Sequence, residues 1–346
     1  MAKNQNAREV KFDQGIAIAR TVALVMLVIL HAAAINFYQF SDKWWATNFY
    51  DSLTRSCVPI FLMISGALLL RKNEQLSVFF RKRVFRIIPA LLFWSLVYLT
   101  LRKAAGNGIE YWKWIPSILD GPVAIHLWYL YTIIGLYAFV PLFRKVYSGT
   151  TESEKRFYIA MWFFVASIFP TLRNYFQFSW DVVAIFNLGA FAGLIGYFFL
   201  GAYVFDSKKT SNCNWIKWLI VFMASSIATM LMTYTHSLSV GSPNELFYGY
   251  LSPFIVIASF AAFKLCIQHK IVLSDRQQKV LSLINEYSLG IYCVHFMTLG
   301  ILKRAGLSGL VGSAWWSIPV SGVTALVVSF LIIGMLRRFP LMRHVT

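Results

Sequence analysis

The chain has 346 residues, of which 58% are hydrophobic, 17% aromatic and only 13% charged. That balance excludes a soluble globular domain, whose surface would need far more polar cover at this length. A net charge of +18 would suit a nucleic-acid binder, but the cations here sit between apolar runs long enough to cross a bilayer.

Lipid offers no partner to open backbone groups, so such runs must be helical. The expected fold is an all-α polytopic transmembrane bundle, a single integral membrane domain over 1–346. Its spans are predicted at 14–38, 50–70, 86–103, 124–146, 156–172, 182–205, 214–235, 246–268, 283–302 and 314–336, about ten in all. Lysine and arginine gather at Lys3, Arg8 and Lys11, at 71–86, at 144–156, at Lys208, Lys209 and Lys270, and at 337–343. The positive-inside rule then places both termini in the cytoplasm. The first apolar segment lacks a small-residue cleavage pattern and is expected to remain as a span.

That first span, ARTVALVMLVILHAA, carries Arg20 and His31. Their spacing is about three helical turns, so both side chains leave one face, about 16 Å apart along the axis. Ionisable groups within a membrane are costly, and the pair is read as a functional site. In the second span, Pro59 should kink the helix, while Ser65 and Gly66 allow close helix packing. Arg55 there reads either as an interfacial anchor or as a functional cation. Arg83 and Arg86, three apart at the inner mouth of the third span, share a face. Two guanidinium forks so placed either bind phosphate or form a patch that only fixes orientation.

Residues 104–123 read as an interfacial half-helix anchored by Trp112 and Trp114. His126, followed by Trp128, opens the fourth span as a site residue or as part of an aromatic belt. His295 lies mid-span and is functional or paired with a polar neighbour. His236, His269 and His344 read as solvated or interfacial, without a site role. Cys57, Cys213, Cys266 and Cys293 are scattered without a CxxC pattern and read as buried free thiols. No paired ligands have the spacing of a metal site.

Six motifs in order carry a resemblance: Arg20-x10-His31, TRSCVPIFLMISGALL at 54–69, Arg83-x-x-Arg86, HLWYL at 126–130, GYFFLGAYV at 196–204 and YSLGIYCVH at 287–295. Together they resemble the acyltransferase-3 family of integral membrane acyltransferases, and most of all the enzymes that O-acetylate bacterial surface glycans. The resemblance implies an acyl-CoA donor substrate, acetyl-CoA being expected, on the cytoplasmic side, with no permanently bound cofactor and no metal. It implies a hydroxyl acceptor on a surface polysaccharide or lipid-linked glycan, contact with membrane lipid, no nucleic acid, and residence in a bacterial cytoplasmic membrane.

By the same resemblance His31 is catalytic, as general base or as nucleophile, and Arg20, Arg83 and Arg86 bind acyl-CoA. Arg55, His126, Trp128 and His295 are candidates for an oxyanion or acceptor site. Members of the family often carry an aspartate three residues before the first-span arginine. Here that position is Ala17, and Asp13 is an acid seven residues before Arg20 on the same face. The rival reading is an exporter of a glycan or lipid-linked intermediate, which an intramembrane Arg and His and a kinked span would also serve. A neutral glycan has no need of the arginine pair.

Overall fold

Asp13 starts the first helix. Its carboxylate accepts the Ile16 amide at 3.1 Å and caps α1 (Gln14–Ala33), satisfying one of the amides that a helix leaves open at its start. The acid on the Arg20 face is therefore engaged as a cap. The computed structural model describes residues 13–191, 193–207, 214–268, 271–307 and 312–346. Lys3, Arg8, Lys11, Lys208, Lys209, Cys213, His269 and Lys270 lie outside the described residues.

The second span begins at Trp44, ahead of the predicted start at 50, and runs as α2 (Trp44–Thr54) and α3 (Cys57–Leu69). The helix breaks at Arg55 and Ser56, one turn before Pro59. Proline clashes with the carbonyl four residues back, here that of Arg55, and it sits within the first turn of α3, where a missing N–H costs little. Next comes α4 (Leu76–Ala104), which starts ahead of the predicted 86 and so takes Arg81–Arg86 into the helix. The half-helix expected in 104–123 is α5 (Trp114–Asp120), with Trp112 exposed just before it. The fourth span is α6 (Trp128–Gly149), entered through a 3-10 turn at Ile125–Leu127.

A reciprocal Thr151–Glu154 capping box opens α7 (Glu152–Phe163), and a π segment at Phe164–Ile168 leads into α8 (Phe169–Phe176). The predicted span 182–205 is corrected: it is not one helix. It holds α9 (Val182–Ile185), a 3-10 turn at Leu188–Phe191 and α10 (Gly196–Ser207). Asn187 at φ 52° and Gly193 at φ 107° supply the interruption, since a left-handed residue cannot continue a right-handed helix. The chain continues through α11 (Trp215–Ser239), α12 (Pro253–Gln268), α13 (Asp275–Arg304) and α14 (Ala314–Leu336).

The described residues contain no strand. Seven helical stretches among them are long and apolar enough to cross a bilayer, at 14–36, 44–69, 76–104, 125–149, 215–239, 246–268 and 314–336. Of the other three predicted spans, 283–302 lies in α13, which has the length at 30 residues but is made less apolar by Asn285, Glu286 and His295. The stretch 156–172 carries the π segment, and α10 is short at 12 residues.

Packing places α1 at the centre, against α2, α3, α12, α13 and α14. Small residues on α1, with Ala19, Ala23 and Ala32 fully buried, let these neighbours approach. The seam between α3 and α10 is closer still. A Cβ on Gly66 would collide with the Phe198 backbone, and one on Gly201 with the Met63 backbone. Cys57, Cys266 and Cys293 are buried free thiols. His236 is not solvated, leaving its interfacial reading: it is buried, its ring 5.5 Å from Tyr175 and 6.0 Å from Phe247.

Candidate functional site

Three helices that share no local sequence bring three histidines together. His31, in the last turn of α1, has its ring centre 5.2 Å from that of His295 on α13 and 6.4 Å from that of His126, in the turn before α6. His126 and His295 are 5.1 Å apart. Phe296 closes one side, stacked on His126 at 5.0 Å and edge-on to His31 at 5.7 Å. His126 and His295 are buried, whereas His31 is half-buried and makes no hydrogen bond among the described residues.

Backbone carbonyls hold the two buried rings. His295 Nδ1 lies 2.6 Å from the Tyr292 carbonyl, and His126 Nε2 lies 3.2 Å from that of Cys293. The Tyr98 hydroxyl donates to the same Cys293 carbonyl at 2.8 Å, and the Tyr292 hydroxyl donates to the His126 carbonyl. The cluster is thus braced between α4, α6 and α13. Among the described residues no group of histidine, cysteine and acidic side chains could hold a metal ion.

At the other end of α1, Arg20 faces two adjoining cavities that also share Lys82, Arg86 and Leu289. One, of about 530 Å³, is lined by Lys72 and Arg83 as well, and deeper in by Tyr129, Tyr137 and Tyr292. The other, of about 710 Å³, adds Arg337, Arg343 and His344 beside Asp13, Asn285 and Glu286. Tyr292 is therefore a wall of the smaller cavity and a brace of the histidine cluster, so the two regions meet at one residue.

The cations here are not equivalent. Glu74 pairs with Lys82 at 2.7 Å and lies 3.6 Å from Arg83. Partial desolvation pushes the Glu74 carboxyl up, but Lys82 and Arg83 outweigh it and hold the group below its ordinary value. Arg337 pairs with Glu286. Arg144 reaches the carbonyls of Leu69 and Glu74 at 3.0 and 3.2 Å, tying down the link between α3 and α4. Arg20 and Arg86 form no ion pair among the described residues. An unpaired, half-buried arginine beside further cations has donors free to bind an anion.

Of the residues singled out in the sequence, the structure brings His31, His126 and His295 into one group, which the sequence did not foresee, and lines the cavities with Arg20, Arg83 and Arg86. Trp128 joins neither, and Arg55 lines neither, although it lies close enough to His31 to interact with it electrostatically. Arg55 is bound to buried Asp51 at 2.5 Å and stacks over Tyr248 at 4.4 Å, and Trp128 stacks on Tyr250 at 5.5 Å. Asp51 went unanticipated although it lies four residues before Arg55, an i,i+4 pair visible in the sequence. Lys72 and Lys82 read only as part of the basic run at 71–86 and Tyr292 only as part of YSLGIYCVH, while Asn285 carried no local signal. His344, read as lacking a site role, lines the larger cavity.

A family described as an acyltransferase domain matches residues 13–334 of the chain. The chain is also similar to the nodulation protein NolL of Mesorhizobium japonicum, 28% identical over 103 residues that cover 29% of this chain and 26% of NolL. No solved structure matches it.

Proposed function

The chain belongs to the acyltransferase-3 family, and from that premise we propose that it transfers an acetyl group from cytoplasmic acetyl-CoA to a hydroxyl of a surface polysaccharide or lipid-linked glycan. The observation that carries this reading is the pair of unpartnered arginines, Arg20 and Arg86, in a cavity whose far wall, Tyr292, is also a brace of the histidine cluster. Coenzyme A has the matching shape, with anionic phosphates at one end and the thioester at the end of a long, thin arm. Phosphates on Arg20, Arg83 and Arg86 would direct the arm past the tyrosines toward His31.

In this mechanism a free nitrogen of His31 takes the proton of the acceptor hydroxyl as its oxygen attacks the thioester carbonyl. The new C–O bond forms, the C–S bond breaks, and the departing thiolate recovers the proton from His31. With the termini cytoplasmic, as the cation distribution implies, the arginines open to the cytoplasm and the histidines lie deeper, on the acceptor side, in a bacterial cytoplasmic membrane.

Coenzyme A should stabilise the detergent-solubilised protein, by about 2.7 kcal/mol at a hundredfold excess over its dissociation constant. Arg20→Ala should lose much of that stabilisation. Melting curves with and without coenzyme A measure both effects. An unchanged wild-type curve at millimolar ligand would overturn the donor assignment. Mass spectrometry of lipid-linked glycans incubated with labelled acetyl-CoA then identifies the acceptor.

A further inference from the structure

Two ring nitrogens in the histidine cluster are buried and have no partner among the described residues: Nδ1 of His126 and Nε2 of His295. Their opposite nitrogens explain what they need. His295 Nδ1 faces the carbonyls of Tyr292 at 2.6 Å and Ile291 at 3.3 Å, and His126 Nε2 faces that of Cys293 at 3.2 Å. A carbonyl only accepts, so the nitrogens facing it carry the protons. In the neutral rings the two orphans are therefore lone pairs, and each needs a donor. They cannot serve each other, although their rings are 5.1 Å apart.

His31 is the ring placed to donate, since it touches both and has no hydrogen bond of its own among the described residues. Distance decides between the two. A ring nitrogen lies about 1.2 Å from the ring centre, so across the 5.2 Å separation from His295 two nitrogens turned toward each other would stand about 2.9 Å apart, an ordinary hydrogen-bond length. Across the 6.4 Å to His126 they stay about 4 Å apart. In the structure the His31 and His295 rings are tilted by 38° and the bond is not made, so it requires the His31 ring to turn.

We propose that, with its ring turned toward His295, His31 donates its N–H to Nε2 of His295, which makes His295 the positioning residue that fixes the tautomer of the catalytic histidine. The proposal rests on the acyl-transfer reading. It gives a neutral imidazole, locked by the Tyr292 carbonyl, the orienting duty that a carboxylate performs in a hydrolytic triad. The other His31 nitrogen keeps its lone pair and takes the hydroxyl proton. Once His31 is an imidazolium, its N–H to His295 becomes a charge-assisted and stronger hydrogen bond. No net charge is buried between turnovers, which suits a site within a bilayer.

The test compares His295→Gln with His295→Phe. Glutamine offers an acceptor oxygen in place of Nε2, whereas phenylalanine keeps a ring and offers none. The expected kcat is within about tenfold of wild type for Gln and down by about a hundredfold or more for Phe, the size of a lost acid–base contribution. Both should keep the donor KM and the stabilisation by coenzyme A. A packing role predicts the reverse order, and that result overturns the proposal. Nitrogen-15 spectra of histidine-labelled wild type, with His31 assigned through His31→Gln, provide a readout independent of turnover. One fixed His31 tautomer is expected, and averaging over both overturns the pair whatever the activity. A single tautomer in a wild type that transfers nothing from acetyl-CoA would instead overturn the acyl-transfer reading and leave the pair standing.

Discussion

The histidine cluster and the arginine-lined cavities lie on the same helix, α1, and are built on opposite terms. Around His31, aromatic rings pack directly and carbonyls fix the two buried imidazoles. Around Arg20, long flexible side chains from α1, α4 and the C-terminal turn line open space. Proton transfer requires groups placed to within a fraction of an ångström, and a small misplacement is costly. Holding a polyanion requires only cations within reach, several of which can compensate for one another. One end of the helix is therefore expected to be intolerant of change and the other graded.

The largest expected effect tests the intolerant end. His31→Ala should reduce transfer by about a hundredfold or more while leaving the stabilisation by coenzyme A intact. A variant that folds normally and keeps more than about a tenth of wild-type rate would remove the distinction between the two ends. At the graded end, Arg20→Gln and Arg86→Gln should each weaken donor binding by about tenfold, with a smaller effect on kcat. Titrations in raised salt should narrow the gap between wild type and variant for exposed Arg86 more than for half-buried Arg20. Equal losses in kcat would instead place these arginines in the chemistry.

The smallest effect concerns Glu74, which occupies Lys82 and Arg83. Glu74→Gln frees both cations and should tighten donor binding by about two- to threefold, in line with the modest worth of a partly exposed ion pair. Because the folded Glu74 carboxyl lies below its ordinary value, the contribution of these pairs is present above the unfolded value of about 4.3 and is lost as pH falls through the lower folded one. The stability difference between wild type and variant should shrink over that interval. A difference that stays constant with pH would show that Glu74 matters by packing alone.

Legibility followed range. The shared face of Arg20 and His31 and the adjacency of Arg83 and Arg86 are properties of a single helix, so the period of 3.6 was enough to read them. The meeting of His31, His126 and His295 depends on how α1, α6 and α13 pack, which no local pattern encodes. Hydropathy over 182–205 reports apolarity and is blind to backbone breaks. Asn187 and Gly193 were the available signals there, because those residue types accept a left-handed conformation. Arg55 read as an anchor or a functional cation because its helix was weighed without Asp51, the buried acid one turn earlier.

The glycine seam between α3 and α10 also bears on motion. Gly66 meets the backbone at Phe198 and Gly201 meets it at Met63, so main chain lies on main chain at two points. A carrier that alternates between two faces must let one group of helices slide past another, and a sliding surface tolerates side chains that can re-pack. Here the helices meet through main chain at both points, with no room at either glycine for a side chain that could re-pack. Under the acyl-transfer reading the seam would act as a keel, holding the cavity wall that α3 forms stationary while a flexible donor arm does the travelling.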